Sequence, residues 1–445
     1  MTRTDPSRVG TGAWQERLKF VIETVREMSA QTDPQRMVET YSNRVRQVMP
    51  VDGTVSLSRR GYQSPDVRVT RASIWTEDVN PWKQRDGLVI HHGGLFSKLI
   101  YADEPTVIDE LQVPADDPAA PFVAGMRSAM AIPLFDQGVA LNMVILFRRE
   151  PAAFERESLP ERVWLSNLFG RATHNLVLSE QLREAYDAVD RELQVVADIQ
   201  RSLLPAELPR IPGVELAVHY RTSKHAGGDY YDFFPLPDGR WGILIADVSG
   251  HGTPAAVLMA VTHSIAHTHD GPPAPPAMLL DFVNRHLAAR YTNGNGTFVT
   301  AFYGIYDPGT REMVYASAGH PPPRVRRGQG RGADARIESA FAPSGLPLGI
   351  DADERYADGV VRFEPGDLLL LYTDGITEAR GPGTADFALF GYDRLDAALA
   401  GCAHDAGDAL TCVLRDVDHF TGGAAPSDDQ TLMAAAFTSD STARN

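Results

Sequence analysis

The chain is poor in cysteine, with two residues in 445, Cys402 and Cys412. Their spacing fits no common zinc pattern, so they are expected as free structural thiols in a reducing compartment. No apolar run approaches the roughly 18 residues that a membrane helix needs. The segment after Met1 shows no apolar stretch of a secretory signal, so the expectation is a cytoplasmic protein with no membrane partner. Basic charge is also scarce. Lys and Arg number 42 against 58 Asp and Glu, a net charge of −16, and the imbalance is confined to one half: 21 against 22 in residues 1–175, but 21 against 36 in residues 176–445. A nucleic-acid surface wants a basic stripe, so no nucleic-acid partner is expected. A domain that collects carboxylates around cations suits this balance better.

The length predicts two domains with room for a further element between them. Hydrophobic residues make up 43% and charged residues 22%, a globular balance. Residues 14–49 read as one or two amphipathic helices, with Leu18, Val21, Ile22, Val25 and Met28 at helical steps. Alternating strands follow around Val55–Leu57 and Val67–Val69. Ala129–Leu134 leads through Asp136-Gln137-Gly138 into Val139–Phe147, which predicts a hairpin of two core strands. A mid-domain helix near Leu95–Ile100 and a closing helix from about Leu159 to Leu178 complete the unit. This order resembles a GAF domain, with Ser128-Ala129-Met130-Ala131-Ile132-Pro133-Leu134 as its best local match. The resemblance implies a sensor for an unknown small molecule or other signal. With no cysteine in this half, a thiol-linked chromophore is excluded there. His91 and His92 are candidates to touch a ligand, surface or core filling being the alternative.

From Leu178 to Leu203 apolar residues recur at Leu178, Leu182, Ala185, Val189, Leu193, Val196, Ile199 and Leu203. These steps predict a helix with a coiled-coil seam, and hence a homodimer through the linker; a single helix packed on its own domain is the alternative. The successive four-residue steps at 185, 189 and 193 interrupt a strict heptad, a plausible hinge for signalling. Pro205, Pro209 and Pro212 end it.

The second half offers four acidic clusters, each beside a strand-like apolar run: Gly227-Gly228-Asp229-Tyr230-Tyr231-Asp232, Ile245-Ala246-Asp247-Val248-Ser249-Gly250-His251-Gly252, Leu371-Tyr372-Thr373-Asp374-Gly375, and Asp428-Asp429-Gln430-Thr431. One Asp-Gly turn alone is usually structural. Four in strand contexts can hold hard divalent cations, which favour oxygen ligands. Two bridged cations can supply hydroxide near neutral pH while screening a phosphate during in-line attack.

The segments GGDYYDFF, ADVSGHGTPAA, SAGHPPP, GLPLG, LYTDGITEAR and DDQTLMAA resemble the bacterial SpoIIE/RsbU-like branch of the metal-dependent (PPM) protein phosphatases, over about residues 200–438. The resemblance implies a β-sandwich flanked by helices and a binuclear Mn2+ or Mg2+ centre. It implies that Asp247 bridges two ions, with the Val248 carbonyl as a further ligand, Asp229 on one ion, and Asp374 and Asp428 on the other. Asp429 is carried beside Asp428 as a neighbouring ligand. Asp232 is expected to orient ligands or waters, or to be structural. His251 is a candidate general acid, with a packing or turn role as the alternative, and His320 is expected to shape the rim or contact substrate. Lys224, with Arg221, is a candidate for the substrate phosphate. The family's substrates imply a phosphorylated STAS anti-anti-sigma protein, and so sigma-factor partner switching.

The expected fold class is therefore α+β: a GAF-like antiparallel sheet with flanking helices at 14–177, a helical coiled-coil linker at 178–204, and a PPM phosphatase β-sandwich at 205–438. Two rival classes remain. A non-catalytic signalling adaptor would lose a metal aspartate, and none is missing; a metal-dependent nuclease or phosphodiesterase would favour histidine-rich ligands or a basic groove, and neither is seen. Residues 268–277 read as a Pro-rich bend, and residues 324–340, with Arg324, Arg326, Arg327 and Arg331, as an exposed loop.

Overall fold

The computed structural model describes residues 11–48, 50–76, 79–84, 87–269, 275–292, 296–328, 330–339, 344–382 and 388–439. They form two compact units, Met1–Asp187 and Ala188–Asn445. The central residues of the expected Pro-rich bend, 270–274, lie outside the described ones.

The first unit begins with α1 (Thr11–Ser29) and α2 (Pro34–Val48), followed by β1 (Gly53–Ser58), β2 (Asp66–Ala72), β3 (Ile90–His92), α3 (Gly94–Tyr101), β4 (Thr106–Ile108), α4 (Ala120–Val123), β5 (Ser128–Asp136) and β6 (Val139–Arg148). The strands form one antiparallel sheet in the order β3-β2-β1-β6-β5-β4. Period-two alternation sends Val55, Leu57, Val67, Val69, Met143 and Ile145 to one face, where they pack on Phe96 and Ile100 of α3. The opposite face carries a smaller cluster of Met130, Ile132 and Leu146 with Phe154. The β5–β6 hairpin turns through Gln137 and Gly138, both at positive φ, as a tight two-residue turn requires. Of the two expected ligand-touching histidines, His91 stands edge-on to Phe122, and His92 meets Asp66 at 2.6 Å.

The expected closing and linker helices are one continuous element, α5 (Leu159–Arg201), of 43 residues. Pro160 sits in its first turn, where a missing N–H does no harm, and no later proline interrupts it. Leu182, Val189 and Ile199 of its apolar pattern are more than half exposed.

The second unit continues with β7 (Val214–Arg221), β8 (Tyr230–Pro235), β9 (Trp241–Val248), α6 (Thr253–His267), α7 (Pro276–Arg290), β10 (Val299–Asp307), β11 (Glu312–Ala318), β12 (Arg324–Arg327), β13 (Arg336–Glu338), β14 (Ser344–Gly345), β15 (Gly359–Arg362), β16 (Leu368–Tyr372), α8 (Asp374–Thr377), α9 (Gly391–Gly401), α10 (Ala406–Thr421) and β17 (Gln430–Phe437). Two sheets result, β14-β11-β10-β9-β8 with β15 on β11, and β13-β12-β16-β17-β7. The near-continuous apolar run of β16 follows from burial on both faces. Leu369 and Leu371 join the core shared with the other sheet, while Leu368, Leu370 and Tyr372 pack with residues of α9 and α10.

Residues 324–340 correct the expectation of an exposed loop. They hold β12 and β13, with Arg324 7% and Arg326 0% exposed. Arg326 Nη1 donates to the carbonyls of Leu399 and Cys402 at 2.8 and 2.9 Å, and Nη2 to that of Ala403 at 2.7 Å. The guanidinium thus serves carbonyls that the end of α9 leaves open. Arg327 pairs with Glu338 and Asp367. Cys402 and Cys412 are buried free thiols. Among the described residues, no helix is long and apolar enough to cross a membrane.

Candidate metal centre and active site

The acidic clusters converge because their strands are neighbours. In β9, Asp247 lies opposite Thr300 of β10, and Tyr230 of β8 lies opposite Ala246, so Asp229 and Asp247 sit side by side at one sheet end. In the other sheet β16 and β17 are paired, which brings Asp374, just after β16, towards Asp428, just before β17. The four carboxyls feel one another: Asp247 is hydrogen-bonded to Asp229 and repelled by Asp229, Asp374 and Asp428.

Burial and like charge raise all four. Asp229 is pushed up to about 8, mainly by burial, against the hydrogen bonds it accepts from two threonines. Asp374 is pushed up to about 6 by burial and by Asp428, and Asp247 and Asp428 are raised chiefly by burial. Four carboxyls held where ionisation is opposed form an all-oxygen donor set that fits hard divalent cations, whose charge would remove the penalty. Val248, whose carbonyl is the expected fifth donor, ends β9 in a crowded spot. A Cβ on Gly228 would come within 2.7 Å of that oxygen, so the second glycine of GGD is required for the approach.

Asp429, expected beside Asp428 as a neighbouring ligand, is engaged by the backbone. Its Oδ1 accepts from the Ser223 N–H at 2.7 Å and its Oδ2 from the Gly228 N–H at 2.6 Å, with the side chain 2% exposed. A Cβ on Gly227 would collide with the same carboxylate. Asp429 therefore fastens the loop that carries Asp229, and Asp428 beside it is left to face the other carboxyls.

Asp232 makes contacts of its own. Strand alternation turns it away from Asp229, and it accepts from Tyr230 Oη at 2.5 Å and meets His267 Nε2 at 2.7 Å. With His263 and His267 it forms a separate trio whose potential ligand atoms lie within 4.8 Å of one another. His320 is 4% exposed, which leaves it little open face for a substrate. Burial lowers it to about 3, which keeps it neutral, and its Nδ1 lies 2.9 Å from Oγ1 of Thr300, the residue paired with Asp247. His251 is exposed, and its charge lowers Asp428, which places it at the mouth of the centre. Lys224 is exposed with its stem 3.9 Å from where a Gly252 Cβ would lie, and Arg221 is paired with Gln430 at the end of β17.

Three contributors escaped sequence reasoning. Thr373 and Thr431 both donate to Asp229 Oδ2, at 2.8 and 2.6 Å. They adjoin the aspartate motifs, and that adjacency was the available signal. Gln200, near the end of α5 and 4% exposed, holds Gly227 from both sides: its amide donates to the Gly227 carbonyl and accepts from the Gly227 N–H at 3.0 Å. Nothing in the helical pattern marks it apart from its position.

The second unit is thus a pair of sheets with carboxyls gathered at its strand ends. Residues 237–438 match the model of the family described as Stage II sporulation protein E (SpoIIE). Phosphoserine phosphatase RsbU of Bacillus subtilis is 30% identical over 204 residues, covering 45% of this chain and 58% of the relative. Protein IcfG of Synechocystis sp. is 26% identical over 278 residues, covering 57% of this chain and 42% of the relative. Among solved structures, the SiaA-PP2C domain of Pseudomonas aeruginosa is 20% identical, with a TM-score of 0.48, covering 58% of this chain and 98% of that domain. The chain spans between 42% and 58% of the length of the curated relatives it matches.

Proposed function

We propose that this chain is a metal-dependent protein serine/threonine phosphatase that hydrolyses phosphoserine or phosphothreonine on a partner protein of the STAS anti-anti-sigma class. The observation that carries the reading is the convergence of Asp229, Asp247, Asp374 and Asp428 from four strand ends, each carboxyl raised by burial. The printed name of the RsbU relative, a phosphoserine phosphatase, supports the same reaction. Mn2+ or Mg2+, two ions per domain, would supply activation of water and neutralisation of phosphate charge.

The chain's own residues do the rest. Asp247 would hold both ions; Asp229, fastened by Thr373 and Thr431, would hold one of them, and Asp374 and Asp428 the other. The charge of His251 acts on Asp428, which supports a role for this imidazole in giving a proton to the departing seryl oxygen. Lys224 at the same loop offers a cation to the phosphoprotein.

The first unit acts as a GAF-like sensor, and α5 carries its state to the second. Gln200 and the 2.7 Å contact between Asp190 and His225 tie α5 to the loop that bears Asp229. The exposed apolar residues of α5 support pairing with a second copy. The two buried free thiols suit the cytoplasm.

The test is phosphate release from a phosphoserine STAS protein with Mn2+, wild type beside Asp247→Asn. Release that needs the metal and is lost in the variant supports the reading; no release from wild type, with metal bound, refutes it. Gln200→Ala then tests the coupling, because a changed kcat with metal affinity retained is expected only if α5 sets the loop.

A further inference from the structure

The face of the first unit's sheet opposite α3 changes character along its length. Near β4 and β5 it is apolar, with Met130, Ile132 and Leu146 buried against Phe154. At the other end the outward positions are polar. Arg68 of β2 is in register with Ser58 of β1, which is in register with Asn142 of β6, and alternation sets this row on the face away from Val67 and Val69. The row does not face open solvent. It floors a cavity of about 380 Å³ walled by α2 and by α5 from Asn167 to Gln181.

Arg68 is 6% exposed, and its Nε and Nη1 are buried with no hydrogen-bond partner. Its guanidinium lies over the face of the Tyr62 ring, 5.1 Å away. A buried cation without an acceptor is costly, and buried polar atoms in folded proteins nearly always find partners. The cavity does not supply one. Its lining carries four arginines, Arg60, Arg68, Arg71 and Arg171, and one carboxylate, Asp136, which already receives Arg60 and Arg171. Ser58 and Asn142 add neutral hydrogen-bonding groups to the floor. The volume falls in the range of small-ligand sites.

From this we infer that the cavity is a binding site for a small organic anion, a metabolite carrying a carboxylate or phosphate group, whose oxygens accept from Arg68. The inference gives a chemical class to the signal of the proposed sensor and rests on that reading only for its regulatory meaning. Binding itself is independent of phosphatase activity. Guanidinium groups recognise both oxyanions, so the two sources are separated by probes.

The test uses the full chain in EDTA, so that phosphate cannot report on a loaded metal centre. Inorganic phosphate, citrate and AMP are titrated separately against wild type and Arg68→Met, with heat of binding and melting temperature as readouts. At least one probe should bind saturably and raise the melting temperature by about 4 °C at ten times its Kd. Arg68→Met should weaken that probe at least tenfold, yet melt no lower than wild type when no probe is present. Phosphate or AMP binding without citrate identifies the phosphoryl class, and the reverse identifies the carboxylate class. Absence of binding by all three at millimolar concentration overturns the inference, as does unchanged binding by Arg68→Met. A ligand-free Arg68→Met protein that melts well below wild type also overturns it, because Arg68 would then be a structural group with partners of its own.

Discussion

Each unit buries charge that its own side chains leave uncompensated, with opposite signs. In the second unit four carboxyls meet at the ends of two sheets, and they come from motifs spread over about 200 residues. In the first, a guanidinium stands within a strand, with Val67 and Val69 on either side packed into the core behind it. The acidic group leans on its surroundings, since hydroxyls of Thr373 and Thr431 hold Asp229 in place. The Arg68 Nε and Nη1 have no such support. Arg326 shows what a structural buried arginine looks like here: its Nη atoms reach three carbonyls. Arg326 gives both Nη atoms to carbonyls of the fold, whereas Nε and Nη1 of Arg68 are both unmatched.

That distinction can be broken by substitution. The largest effect should come from Asp247→Asn, which removes the shared carboxylate and should lower phosphate release by ~1,000-fold or more, about 4 kcal/mol of transition-state stabilisation, with circular dichroism unchanged. Arg326→Met comes next. It strands three carbonyls, so denaturant unfolding should show a loss of about 3 kcal/mol, whereas Arg68→Met should lie within about 1 kcal/mol of wild type. Equal losses for the two arginines would erase the contrast.

Asp429→Ala removes the acceptor of two backbone N–H groups and should cost about 2 kcal/mol in the same measurement. It should also weaken Mn2+ binding, through a loosened Asp229 loop. The smallest effect concerns pH. Without cations the folded protein retains protons on Asp229 to about 8 and on Asp374 to about 6, both above the ordinary 3.8. Between roughly pH 4 and 8 the unfolded chain therefore binds fewer protons than the folded one, and stability falls as pH rises. Saturating Mn2+ needs ionised carboxylates and should reverse that slope. Melting in EDTA and in Mn2+ at pH 5.5 and 8 should diverge by on the order of 5 °C more at the higher pH; parallel curves would show that the carboxyls are not opposed by burial.

The acidic motifs were conspicuous because each sets an aspartate beside a strand-like apolar run, with Asp229 and Asp374 next to a glycine. The hairpin of β5 and β6 was legible for a related reason, since alternation and a Gln137-Gly138 turn are both local signals. Burial of arginine was not. Arg326 sits in a run of Arg and Gly that reads as exposed loop, and only the end of α9, more than 70 residues away in the chain, makes it a core residue. Asp428 and Asp429 illustrate the same limit at closest range. Both are aspartates before a strand, and their different tasks follow from which one meets Ser223 and Gly228, contacts more than 200 residues apart.

β17 lies between β16 and β7 in its sheet, and it follows every other strand of the unit in the chain. Asp428, Asp429 and Thr431 arrive with it. On a ribosome, the earlier strands emerge with the Asp229 loop unfastened and the acidic centre open on one side. The centre is closed only once β17 pairs, and a chain that stops before β17 holds the Asp229 loop without its fastening.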